Sequence, residues 1–355
     1  MPEAIRKVNV IGHLHPDTDS ICSAIAYAYL KNQISDIEYE PRRAGAINRE
    51  TAFALKTFGF EEPELITSVA PQIKDTQISK QRSIEADTSL FSAWNLMRDL
   101  KTSTLCITDE KNDLLGLIAV KDIASANMDI FDTAMLSNAK TLYSNVLDTL
   151  KGTMVLGDPA DRICQGNIRI GTTPEMMEGN IEKGDIVLVT NRYETQRYAV
   201  EAGASCLVVC NGASVSEVVI EAAKANGCTV LTTPYDTYSA ARLIPMATPV
   251  SAEMLPEDKV LRFSVNTSVD DALKVMANSQ HRFFPVMDED GQYVGVVSSP
   301  NMINVNKKHV ILVDHNERSQ AVSGLERAEI MEIIDHHRIG TIETSSPAYF
   351  RNEPV

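Results

Sequence analysis

The sequence predicts an α/β protein whose parallel-sheet domain is built from both ends of the chain and interrupted by a long insertion. Three observations carry this. Short apolar runs at 8–11, at His309–Val313 and at Ile333 and Ile334 each lead into aspartates and histidines. A stretch around Thr88 is repeated around Thr267. Between the copies, roughly residues 130–245 alternate β-rich and helical patterns. Runs this short fit buried strands better than helices. Ionisable groups at the ends of buried strands add nothing to packing, so their recurrence points to chemistry.

The first run delivers Gly12-His13-Leu14-His15-Pro16-Asp17-Thr18-Asp19-Ser20. Pro16 breaks the chain, and Asp19 or Ser20 is the expected N-cap of a helix over 21–30. His13, Asp17 and Asp19 then sit on a strand-to-helix loop, where open α/β sheets bind ligands. Two carboxylates two positions apart repel unless cations lie beside them, and an imidazole donor suits manganese, cobalt or zinc. The alternative is that Asp17 and Asp19 are turn and cap residues and His13 is incidental. The other two runs favour the metal, because they deliver Asp314-His315-Asn316-Glu317 and Asp335-His336-His337.

The 355 residues imply two or three domains, and 44% hydrophobic content is ordinary for a globular chain. Forty-eight acidic against thirty-three basic residues give a net charge of -15. That balance excludes a general nucleic-acid or anionic-membrane surface, which needs clustered cations. Six cysteines without a CxxC pair indicate neither a zinc module nor a disulfide framework. No apolar run is long enough to span a bilayer and no signal-peptide pattern opens the chain, so the expectation is a cytoplasmic protein.

After the first helix, residues 37–39 can form a strand, and Arg42 through Thr51 lead to a helix carrying Phe53, Leu55 and Phe58. Pro63 and Pro71 place a boundary near residue 70. The repeat follows at a constant offset, Thr88 to Thr267 being 179 positions, and it holds without a gap through Gly116 and Gly295. Each copy reads as helix, strand (104–107; 283–286), Asp-rich turn, strand and second helix. Trp94 on a repeat helix is expected in the core. In the middle block, 186–190, 206–210 and 229–231 read as strands, with helices over 194–202 and 215–225, giving a small α/β domain. Gly157-Asp158 and Arg169-Ile170-Gly171-Thr172-Thr173 lack a following Gly-Lys-Ser/Thr and read as turns.

The motifs at the two ends resemble those of the DHH phosphoesterase superfamily, and within it the family II, manganese-dependent inorganic pyrophosphatases. By that resemblance His13, Asp17 and Asp314 hold one metal, and Asp19, Asp314 and His336 hold a second, with Asp314 bridging. His337 faces the substrate and His15 is a spectator. The metals are manganese or cobalt, with magnesium accompanying pyrophosphate. The repeats resemble CBS domains, which pack as pairs and receive adenosine nucleotides, and the middle block resembles a DRTGG domain. Asp122, near Lys101 and Ala119, and the Gly295-to-Asn301 run with Arg282 carry the nucleotide resemblance. The expected nucleotide-contacting set is Lys101, Ala119, Asp122, Thr248, Val250, Arg282, Ser298 and Asn301.

The domain order that follows is a DHH part over 1–70, CBS copies over 71–128 and 246–306, the DRTGG-like block over 129–245, and a second DHH part over 307–355. The implied activity is pyrophosphate hydrolysis regulated by AMP, ADP or longer adenine nucleotides in a homodimer, the middle block making dimer contacts. Where this sequence ends, at Asn352-Glu353-Pro354-Val355, the resemblance implies a further aspartate ligand and a C-terminal domain supplying Lys and Arg to clamp pyrophosphate. The expectation is that this polypeptide alone is weakly active or inactive. The other readings are a nucleotide-sensing protein with a degraded metal site, and another DHH phosphodiesterase.

Overall fold

A computed structural model describes residues 7–129, 131–303 and 305–353. Pro354 and Val355, part of the terminal stretch on which the C-terminal expectation rests, lie outside them. The chain divides into two compact units. One takes the chain up to Ser79, Phe263–Glu289 and the stretch from Val296 on; the other takes Lys80–Arg262 and Asp290–Gly295.

The first unit is organised by six strands, β1 (Lys7–Ile11), β2 (Glu38–Arg43), β3 (Glu64–Leu65), β4 (His309–Val313), β5 (Glu329–Asp335) and β6 (Tyr349–Asn352). They form one sheet in the order β6-β5-β4-β1-β2-β3, and every neighbouring pair is parallel. Both central strands are buried on both faces, as parallel strands must be. Val8, Val10, Ile311 and Val313 pack against Ala24 and Ala28 of helix α1 (Thr18–Ile34). Ile11, Val310 and Leu312 pack on the opposite face with Val69, Val322 and Leu325. From β1 the chain moves one way to β2 and β3, while β4 to β6 extend the sheet the other way. The strand order therefore reverses between β1 and β4, and their carboxyl ends open a crevice there.

Helix α1 starts earlier than the sequence suggests. Its N-cap is Asp17, whose Oδ1 accepts the Ser20 N–H at 2.9 Å, so Asp19 and Ser20 already lie inside the first turn. An extended Asp17 satisfies an otherwise orphaned helix donor, and that decides the start. Helix α2 (Arg49–Phe58) is capped by Asn48 and ends at Gly59 with φ 73°; Leu55 is buried, whereas Phe53 and Phe58 are exposed.

The second repeat copy has its helix at Val269–Ala277 and strands at Phe263–Ser264, Phe284–Met287 and Tyr293–Val297 in one sheet. Its expected second helix is instead a single 3-10 turn, Ser299–Met302. Pro300 lies in the first turn, where its missing N–H costs no hydrogen bond, so it favours the start of a helix and does not account for the stop. The first copy, in the second unit, keeps the full pattern: helix Leu90–Asp99, strands Thr104–Thr108 and Leu114–Ala119, and helix Val120–Met128. Leu90, Met97, Leu105, Ile107, Ile118 and Ile123 form its core. Trp94 is not in it; at 39% exposed it looks outward between core positions Ala93 and Met97.

The rest of the second unit is a five-stranded sheet in the order Thr153–Leu156, Thr229–Thr232, Cys206–Val209, Ile186–Val189, Ile168–Ile170, parallel except at the first edge pair. Arg169 and Ile170 therefore belong to an edge strand, paired with Val187 and Leu188, and not to a turn. The run is short and partly exposed, which hides its period. No helix among the described residues is long and apolar enough to cross a membrane.

Candidate metal centre

The carboxyl ends of β1, β4 and β5 bring the ligand-type residues together. Gly12 closes β1 where the loop doubles back on α1; a Cβ there would meet Ser20 Oγ at 1.9 Å. That hydroxyl instead accepts the His13 N–H at 3.0 Å and fixes the loop. Ser20 is fully buried, a supporting role that only its position just after Asp19 could have suggested.

Asp314 follows β4 with φ 59°, a left-handed conformation that aspartate tolerates better than most residues, and its N–H donates to Ile334 O at 3.0 Å. Its side chain is 4% exposed and its two oxygens face different partners. Oδ2 lies 3.4 Å from His13 Nε2, which is 3.8 Å from Asp17 Oδ1. Oδ1 lies 3.1 Å from His336 Nε2, which is 3.6 Å from Asp19 Oδ2. The ligand atoms of His13, Asp17 and Asp314 fall within 4.8 Å of one another, as do those of Asp314, Asp335, His336 and His337.

Burial, then the fields of Asp19 and Asp17, push the Asp314 carboxyl above its ordinary value. Oδ2 is buried without a hydrogen-bond partner. A buried carboxylate oxygen that nears an imidazole at 3.4 Å but makes no hydrogen bond leaves its charge incompletely compensated, which a cation would remedy. Mixed imidazole and carboxylate donors around it suit a divalent transition metal, so the residues present fit such an ion.

Asp335 and His337 differ from this group. Although burial opposes it, hydrogen bonds from the His337 ring and backbone, from Asn316 and from the His336 N–H hold the Asp335 carboxyl below its ordinary value. His337 Nδ1 is 2.8 Å from Asp335 Oδ1, and that contact raises the imidazole above its usual range. With Nδ1 so engaged, Nε2 of the half-exposed ring is left for the crevice. Asn316 donates to Asp335 and to Arg338 O, and accepts the Gly340 N–H, tying β4 to the loop after β5. Asp335 and Asn316 stood inside the recognised motifs without a role, and a strand-end acid was the available signal. His315 was missed too. It is buried, with Nδ1 2.9 Å from Val313 O and its ring edge-on to His13 at 6.4 Å. His15 is exposed. A cleft of about 520 Å³ opens from Asp19, Asp314 and His336 toward Tyr27, Tyr349 and Arg351.

The residues expected at a nucleotide divide between the units. In the second, Asp122 Oδ2 accepts the Ala119 N–H at 2.8 Å, Lys101 is exposed, and Thr248 and Val250 are buried beside the first repeat helix. Leu90 N–H donates to Thr248 O, and Val250 N–H to Thr88 O. Thr248 Oγ1 has no partner. In the first unit, Asn301 Oδ1 accepts the Ser298 N–H at 2.8 Å and the Ser298 hydroxyl at 2.6 Å, and Arg282 is exposed.

Comparison with known proteins adds to this geometry. The DRTGG domain model matches residues 145–247, and the CBS domain model matches 77–129 and 252–306. The chain is 38% identical over 349 residues to the cobalt-dependent inorganic pyrophosphatase of Clostridium perfringens, covering 98% of this chain and 63% of that one. It is 33% identical over 355 residues to a probable manganese-dependent inorganic pyrophosphatase of Thermotoga maritima, covering 99% of this chain and 64% of that one. The chain thus spans under two thirds of the length of these relatives. The crystal structure of the CBS and DRTGG domains of the regulatory region of Clostridium perfringens pyrophosphatase, complexed with the activator diadenosine tetraphosphate, is similar at 30% identity and a TM-score of 0.60. The match covers 64% of this chain and 99% of that one. The chain belongs to the family of inorganic pyrophosphatases that carry CBS and DRTGG domains.

Proposed function

We propose that this protein takes part in the hydrolysis of inorganic pyrophosphate to two phosphates at a two-metal site under the control of adenine nucleotides. The observation that carries the reading is the single buried carboxylate of Asp314, whose two oxygens face two different histidine–aspartate pairs. In this reading His13, Asp17 and Asp314 hold one manganese or cobalt ion, and Asp19, Asp314 and His336 the other, with magnesium accompanying the substrate. Two such ions lower the pKa of water toward neutrality and stabilise charge on the departing phosphate. The chain's own residues set the stage: Asp335 and Asn316 orient the loop after β5, and His337, held toward its protonated form, offers Nε2–H to a phosphoryl oxygen.

The same reading takes the parallel sheet as a DHH domain, 1–70 with 307–355, interrupted by CBS copies over 71–128 and 246–306 around a DRTGG-like block over 129–245. Adenine nucleotides would be held by Lys101, Ala119 and Asp122 on the first copy and by Thr248, Val250, Arg282, Ser298 and Asn301 on the second, in a cytoplasmic homodimer. The diadenosine tetraphosphate of the Clostridium perfringens regulatory region supports a nucleotide of that class.

The test is titration of the metal-free protein with Co2+, read by its visible absorption, alongside phosphate release from pyrophosphate. Two Co2+ per chain, both perturbed in D314N, and release that D314N abolishes are expected. One ion or none, or preferential cleavage of a dinucleotide, would overturn the reading.

A further inference from the structure

On the sheet face opposite α1, away from the metal centre, a second cavity of about 500 Å³ lies inside the first unit. Five cations line it, Lys7, Arg42, Lys74, Lys307 and Lys308, against the carboxylates of Glu64 and Asp75. Lys7 and Arg42 are neutralised locally, because Lys7 pairs with Glu40 and Arg42 with both Glu40 and Glu64. Of the three lysines from the connecting segments, only Lys308 reaches a carboxylate, and that at the limit of ion-pair distance. Lys74 reaches a neutral partner, Asn266 Oδ1, at 2.7 Å. Lys307 is exposed and has no ion pair among the described residues. Lys308 Nζ is mostly buried, yet its nearest carboxylate, Asp75 Oδ2, is 3.9 Å away, and its contacts with Ala70 O and Gln72 Oε1 are long at 3.3 and 3.4 Å.

Counting Glu40, two positive charges remain uncompensated here, on a chain whose net charge is -15. Burial, together with the field of Lys74 and against that of Asp75, lowers the Lys308 ammonium below its ordinary value, which a bound anion would reverse. Asn9, only 9% exposed and with no side-chain hydrogen bond among the described residues, lines the same space, as do Thr67 and Ser68. Compact, strongly hydrated ammonium groups match a small, highly charged oxyanion. Among the described residues the lining carries no Phe, Tyr or Trp, and its one aromatic ring, His309, is a weak platform for a nucleobase, which argues against a nucleotide.

We propose that this cavity binds a small inorganic phosphoryl anion, phosphate or pyrophosphate, held by Lys74, Lys307 and Lys308 with the Asn9 amide. The site is separate from the metal centre and independent of the function proposed above.

Calorimetry on the whole chain in EDTA, with phosphate and with pyrophosphate in separate arms, tests it without metals. The tighter arm identifies the natural anion. Binding is expected to weaken at least tenfold in K307Q/K308Q and to stay unchanged in D314N. Unchanged affinity in K307Q/K308Q, or loss in D314N instead, overturns the site. Should the double variant fail to fold, acylation footprinting of the unmodified chain decides. The anion should protect Lys307 and Lys308 and leave Lys274, an exposed surface lysine, as reactive as before; equal reactivity with and without the anion overturns the proposal.

Discussion

The candidate metal centre and the repeat caps use the same kind of residue, a short acid or amide just past a strand, to opposite ends. Asp122 and Asn301 each return an oxygen to the backbone N–H three residues earlier, at 2.8 Å, and Asn301 Nδ2 also donates to Gln77 O at 2.7 Å. These groups are employed by the fold itself. Asp314, unlike those two part-buried residues, is buried, yet Oδ2 has no hydrogen-bond partner, the backbone is left-handed, and burial and the surrounding carboxylates oppose its charge. A satisfied polar group explains a local structure, whereas a buried carboxylate oxygen left without a hydrogen bond calls for an explanation, which a cation among these imidazoles and carboxylates supplies.

Breaking the centre should have the largest effect. D314N keeps a side chain that tolerates the left-handed backbone, and it should weaken Co2+ binding by more than about 100-fold, beyond what losing an outer partner of a ligand costs. The sign of its effect on the metal-free protein is opposite. Because the folded state raises the Asp314 carboxyl, its ionised form works against folding at neutral pH. Metal-free D314N should therefore melt above metal-free wild type at pH 7. The gap should close as pH falls below the unfolded aspartate value of about 3.9. A lower melting temperature at pH 7 would contradict this electrostatic account.

Next in size is Gly12→Ala. The Cβ cannot coexist with Ser20 Oγ, so the loop must shift at a cost of about 1–3 kcal/mol, seen in thermal melts together with weaker Co2+ binding. Smaller again are the caps. D122A and N301A should each cost about 1 kcal/mol, read as faster amide exchange in the adjoining turn, with Co2+ binding untouched. A cap variant that altered metal affinity would erase the distinction between the two regions.

The smallest effect concerns Asp87 and Arg162, an exposed pair in the second unit at 2.6 Å. The hydrogen bond from Arg162 holds the Asp87 carboxyl below its ordinary value despite partial burial. Its contribution is present above the unfolded value of about 3.9 and is lost as pH falls through the lower folded one. At this exposure R162A should cost under about 1 kcal/mol at neutral pH, and less in high salt.

The strands, the repeat and the ligand-bearing motifs were legible in the sequence because each is a local pattern. Buried parallel strands are continuous apolar runs, the offset of 179 positions is a matter of counting, and aspartates and histidines that follow such runs stand out. The shortening of the second repeat's last helix to Ser299–Met302 carried no signal in the sequence, since a proline at the start of a helix is favoured. Trp94 was misplaced because a large apolar side chain suggests a core, while burial follows the helix phase, set here by Ala93 and Met97. What only the tertiary structure decided is the pairing of β1 with β4, residues separated by about three hundred positions, and with it the meeting of His13, Asp17 and Asp314. The same pairing creates the orphaned Asp314 oxygen and places Lys7 and Asn9 in one cavity with Lys307 and Lys308. Residue types and spacings along a chain specify which groups are available, but distance, burial and the absence of a partner arise only when remote segments are packed together.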